Sequence, residues 1–168
     1  MRITKNLMKK TIALMLSMLL TVSLFAGCSG KSKSDGQDVF VTFNGQTLRV
    51  GDNFNDLSAK LGAEIQPSEE IKPCDPNSDE VFTLHFFDGM DITVGEDGTI
   101  DSISVRGDKA LLQGKVAVGT AADEVKSVCG EPETDDGYAL SYTWSGVWGN
   151  IYIDEGAVSG FMLGRSVN

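Results

Sequence analysis

The sequence predicts an α+β protein built from two tandem helix-plus-antiparallel-meander repeats that share a sheet or pack their sheets together. Three observations carry that prediction. The stretch Val118 to Gly130 restates the pattern of Val50 to Gly62: each opens on Val-Gly, offers a capping residue (Asp52 or Thr120), spaces apolar residues helically and closes on Gly. Each copy is followed by short apolar runs separated by Gly-bearing turns, the signature of a meander. A unit of about 55 to 65 residues closes a core poorly by itself, so the two units are expected to combine.

Taken in order, residues 1–27 read as a leader. Arg2, Lys5, Lys9 and Lys10 precede an uncharged run from Thr11 to Ala26, too short to span a bilayer and suited to a signal-peptide core. The run ends Leu24-Phe25-Ala26-Gly27-Cys28-Ser29, which resembles the bacterial lipobox, with Phe25 where that motif usually has Leu. The resemblance implies lipidation of Cys28, which would become the mature N-terminus. Residues 28–38 then form a lipidated Cys and a flexible tether with no apolar residue after Cys28.

Repeat 1 is assigned to residues 39–107 and repeat 2 to 108–168. In the first, Val39 to Val50 carries Asn44-Gly45 between apolar runs, a strong hairpin signal. A helix is expected over about Asn53 to Leu61, then a polar loop from Gly62 to Glu80 with at most a short strand near Ile65. Strands follow at Val81–Phe87, Met90–Val94 and Thr99–Val105. In the second, a helix is expected over Ala121–Cys129 and a loop over Glu131–Gly137. Strands follow at Tyr138–Trp144, Trp148–Ile153 and Val158–Leu163.

Alternation along these strands sorts their faces. Phe82, Leu84 and Phe86 are expected to pack under the helices, together with Tyr138, Leu140 and Tyr142, and Ile92, Val94, Ile151 and Ile153 continue that side. The opposite side collects His85, Phe87, Trp148 and Tyr152, aromatic where a soluble sheet is usually polar. These four are the expected partner-binding residues.

Charge narrows the partner. Of the 14 Lys and Arg, four lie in the leader, while all 24 Asp and Glu follow Cys28; the chain beyond it therefore carries 10 against 24, a formal net charge of −14. That balance opposes nucleic-acid binding and opposes lying on anionic lipid, so the membrane is met through the acyl anchor only. His85 is the single histidine and has no neighbouring nucleophile or second ligand, so no catalytic residue is assigned. No zinc spacing or phosphate loop is present, and no cofactor is expected. Asp75-Pro76-Asn77-Ser78-Asp79 begins like a calcium loop, but Val81 stands where Gly is needed and Phe86 where Glu is needed, leaving no metal site. Cys74 and Cys129 could bridge the repeats; Cys129 also aligns with Leu61, and a small buried hydrophobe accounts for it equally well.

The segment Val-Gly-Thr-Ala-Ala-Asp-Glu-Val-Lys-Ser-Val-Cys-Gly-Glu-Pro (118–132), with its weaker echo from Val50 to Gly62, resembles the beta-lactamase-inhibitory-protein fold. It is similar also to the small lipoproteins of outer-membrane protein assembly and to two-unit lipoproteins of Gram-positive gut bacteria. The resemblance implies a non-catalytic protein that grips another protein of the cell envelope through an aromatic sheet face. The inhibitor's intradomain disulfides have no counterpart, since each half has one Cys. The expected function is that of an extracytoplasmic, lipid-anchored binding module at the bacterial membrane. The alternative is a structural lipoprotein of envelope assembly acting through its helix face.

Overall fold

The computed structural model describes residues 38–73 and 78–166. Cys28, Cys74 and the expected leader lie outside these residues. The chain opens with a hairpin, β1 (Val41–Phe43) and β2 (Gln46–Leu48), turned by Asn44 and Gly45 at φ 48° and 75°. Positive φ at both turn positions is what a two-residue hairpin loop requires. A 3₁₀ turn (Phe54–Asp56) and one helical turn, α1 (Ser58–Leu61), follow. Then come β3 (Gln66–Ile71), β4 (Phe82–Phe87), β5 (Met90–Gly95), β6 (Ile100–Val105) and β7 (Leu111–Leu112). The second half holds α2 (Ala122–Cys129), β8 (Thr134–Asp135), β9 (Ala139–Trp144), β10 (Val147–Asp154) and β11 (Ala157–Arg165).

Eight strands form one antiparallel sheet in the order β3-β4-β5-β6-β11-β10-β9-β8, and β2-β1-β7 form a second, smaller sheet. The seam between the halves is the β6–β11 pair, with Val105 opposite Phe161 and Ile103 opposite Leu163.

This architecture corrects the expected one. The protein is not an α+β pair of helix-plus-meander repeats; the described residues are mostly β, with 49% strand against 12% helix and one continuous eight-stranded sheet. Three local causes account for the difference. Asn53, Asn55, Asp56 and Ser58 are weak helix formers, and Asn53 accepts a hydrogen bond from the Asn55 N–H, which stabilises a tight turn in place of a first helical turn. The expected loops contribute strands: Gln66–Ile71 pairs with β4, and Thr134–Asp135 pairs with β9. Finally, Leu111–Leu112, placed in the second repeat by sequence, pairs with β1 of the N-terminal hairpin.

The core lies on one side of the large sheet. Met90, Ile92, Val94, Ile100, Ile103, Val105, Leu140, Tyr142, Ile151, Phe161 and Leu163 point into it and are all at most 5% exposed. Over the first half it is covered by Val41, Phe43, Leu48 and Leu112 of the small sheet and by Phe54 and Leu61. Val125 and Cys129, one helical turn apart on α2, are both 0% exposed and belong to the same core. The sheet ends safely at both edges: β3 carries Pro67, Glu69 and Glu70, and β8 is two residues long.

Candidate functional site

The other side of the large sheet is the one to which the core residues of the described chain do not contribute. Its residues follow from the registers. Two-residue turns at Asp88-Gly89 and Ser145-Gly146 set Phe87 opposite Met90 and Trp144 opposite Val147. Since Met90 and Trp144 point inward, the rows beside them point outward: Phe86 with Asp91, Leu84 with Thr93, and Thr143 with Trp148.

The outward face therefore has two apolar ridges. Phe82, Leu84 and Phe86 form one along β4, flanked by Ile71 at the sheet edge. Trp148 and Tyr152 form the other along β10. The ridges stand about 19 Å apart, four strand spacings of about 4.8 Å. Between them the floor is small or polar: Thr93 and Asp91 on β5, Ser102 and Ser104 on β6, Gly160 and Gly164 on β11, with Met162 the large side chain among them. Arg106 pairs with Asp91, whose residue is 8% exposed. Ser141 donates to Asn150 at 2.8 Å, and Thr143 to Glu133 at 3.0 Å.

Trp148 does not stand up from the sheet. A Cβ at Gly164 would lie 2.4 Å from its ring, so the indole is laid flat over that glycine, and its Nε1 donates to the Arg165 carbonyl at 3.1 Å. Tyr152 is 44% exposed. Its neighbours across the ladder, Gly160 and Ala139, are too small to cover it.

The four expected aromatic positions thus split. Trp148 and Tyr152 are on the open face. His85 and Phe87 are on the packed side, and the expected register of β4 is corrected by one residue. Phe87 is 2% exposed and meets Phe43 edge-on at 6.1 Å. His85 lies against Phe54, with ring centroids 4.1 Å apart and the ring planes tilted by 32°, and its Nδ1 lies 3.0 Å from Glu64 Oε1. The residues expected beneath the helices, Phe82, Leu84 and Phe86, are the ones on the open face. The run Phe-Thr-Leu-His-Phe-Phe is apolar on both faces, so alternation alone did not decide it. The Asp88-Gly89 turn was the usable signal, because it ties Phe87 to Met90. Tyr138, also expected inward, is 79% exposed, while Leu140, Tyr142, Ile92, Val94 and Ile151 do face the core.

At one end of the open face, where β4, β5, β6 and β11 meet, lies a cleft of about 540 Å³ lined by Glu80, Phe82, Glu96, Asp97, Asp101 and Arg165 among others. Arg165 Nε is 3.8 Å from Asp101 Oδ1. Burial raises the Asp101 carboxyl above its ordinary value; Arg165 opposes this, and Glu80 and Asp97 push the same way as burial. Hydrogen bonds from Thr99 hold Asp97 low.

Cys129 carries a free, fully buried thiol whose pKa burial pushes up to about 11. Cys74 and Cys28 fall outside the described residues. Among those residues, no three of His, Cys, Asp and Glu are grouped to hold a metal ion, and no helix is long and apolar enough to cross a membrane.

The chain matches no known family model and no curated protein. Among solved structures it is similar to a cysteine-rich secretory protein from Staphylococcus aureus subsp. aureus Mu50, with a TM-score of 0.50 and 16% identity over 70% of this chain. It spans 44% of the length of that protein, and the likeness concerns the fold alone. The uncharacterized protein yfeY from Escherichia coli aligns over 80% of this chain and 100% of its own, at 18% identity and a TM-score of 0.44, too loosely to carry an argument.

Proposed function

We propose that this protein is a non-catalytic binding module, held at the bacterial membrane by a lipid on Cys28, whose open sheet face docks another protein of the cell envelope. The observation that carries the reading is the asymmetry of the sheet. Among the described residues, the small sheet, the 3₁₀ turn and both helices contribute their buried residues to one side, while on the other Phe82, Leu84, Phe86 and Trp148 stay half-buried and Tyr152 is exposed. Apolar ridges beside a polar floor are the anatomy of a surface that excludes water when a partner arrives. The sequence Leu24 to Ser29 supports the anchor.

The test is photo-crosslinking in producing cells. A photoreactive residue at Leu84 or Tyr152 should capture a partner, whereas one at the exposed Glu124 of α2 should not. Capture from Glu124 alone would instead mean an assembly role exercised through the helix face. In the same cells Cys28→Ser should abolish incorporation of labelled palmitate and release the protein from the membrane fraction; retention with no loss of label would refute the anchor.

A further inference from the structure

The open face is not uniformly apolar, and its charge says what kind of partner fits. In the cleft beside Phe82, the carboxylates of Glu80, Glu96, Asp97 and Asp101 face the single guanidinium of Arg165. That guanidinium approaches Asp101 no closer than 3.8 Å and leaves 48% of its side chain exposed. The negative charge of the cleft is therefore under-compensated. Burial is the main cause of the raised pKa of Asp101; Arg165 opposes it, and Glu80 and Asp97 add smaller pushes in the same direction as burial. A nucleic acid or anionic lipid headgroup would add to that repulsion. A cation would relieve it, donating charge-assisted hydrogen bonds to the carboxylates with the Phe82 ring alongside.

We propose that the partner of the open face presents an Arg or Lys side chain flanked by apolar residues, with the cation entering this cleft and the apolar flanks lying along Phe82, Leu84 and Phe86. The inference rests on the reading of the open face as a docking surface and adds the chemistry of what docks there. Its basis is the complementarity between a carboxylate-rich cleft and an apolar ridge that share Phe82, on a chain of net charge −14 beyond Cys28.

Two short peptides test it on the full-length protein in detergent: acetyl-photoleucine-arginine-photoleucine-amide, and its twin with citrulline, which keeps the shape of arginine and loses its charge. After irradiation the labelled residues are mapped by mass spectrometry. The arginine peptide should label the segments 82–87 and 95–101 about tenfold more strongly than its twin, the factor expected of one hydrogen bond to a charged group. Combining Glu80→Gln with Asp101→Asn should erase that advantage. Equal labelling by the twins overturns the proposal, as does charge-dependent labelling spread over Glu69, Glu70, Asp135 and Asp136. In cells, capture from Leu84 that survives the double substitution undiminished refutes a cationic partner and leaves the docking surface standing. Absence of any capture from Leu84 removes the docking surface and this inference with it.

Discussion

Gly62 and Gly130 close the two helical segments at φ 96° and 85°, each with ψ −172°, a region that essentially only glycine occupies. Gly130 also accepts a hydrogen bond on its carbonyl from the Tyr142 hydroxyl at 3.2 Å, so a shifted backbone there disturbs the core as well as the cap. Gly130→Val is expected to cost about 1–3 kcal/mol, the strain of placing a β-branched residue in that conformation, read by urea denaturation. Its neighbour Cys129 sets a pH dependence. Burial raises the thiol from its ordinary 9.0 to about 11, so the folded state prefers the neutral form. Below pH 9 both states keep the proton and the shift has no effect on stability. Between pH 9 and about 11 the unfolded chain releases it and the folded chain does not, so stability falls as pH rises through that window. Tyr142, raised in the same direction by burial, extends the loss to higher pH. Alkylation gives the independent check: Cys129 should resist iodoacetamide in the native protein and react once the protein is unfolded without reductant. Continued resistance would mean a bridge to Cys74.

Among the elements, β10 and β11 show how glycine shapes the open face. Trp148 lies over Gly164 on the outside of the sheet, and Trp144 lies over Gly149 on the inside, where a Cβ would also come within 2.4 Å of the ring. Gly164→Ala leaves no room for the Trp148 indole on the sheet. It should swing into water, red-shifting tryptophan emission while the buried Trp144 keeps its own; an unchanged spectrum would show that the ring has room to slide. The hairpin turns make the legibility of the molecule uneven. Asn44-Gly45 announced β1 and β2, and the inward set of β5 was readable because Asp91 and Thr93 interrupt Met90, Ile92 and Val94. β4 was misread because both of its faces are apolar, and that single-residue slip exchanged Phe82, Leu84 and Phe86 for His85 and Phe87 in the candidate site. β3 reads as loop, with at most a short strand near Ile65, because Gln66-Pro67-Ser68-Glu69-Glu70-Ile71 has a loop composition and is exposed throughout. Such an edge strand is held by its ladder to β4, an interaction that leaves no local pattern. The acidic cleft was illegible for another reason: it joins Glu80, Asp97 and Arg165 across four strands, and only the topology brings them together.

At the scale of the whole molecule, the decisive contact is the seam where β6 of the first half meets β11 of the second. Without it, each half would end in an open strand edge bordering an unfinished core, and neither would bury enough surface to persist. Leu163 sits at that seam, 0% exposed, opposite Ile103 and beside Gly149. Leu163→Ala should cost about 2–5 kcal/mol, the range for removing a large aliphatic side chain from a packed core. The loss should lower both halves together. Amide exchange at Ile92 in the first half and Ile151 in the second reports them separately, and both amides should lose protection by the same factor, through one cooperative opening. If Ile151 loses protection in the variant while Ile92 keeps it, the halves open independently, and the continuous sheet does not make the chain a single folding unit.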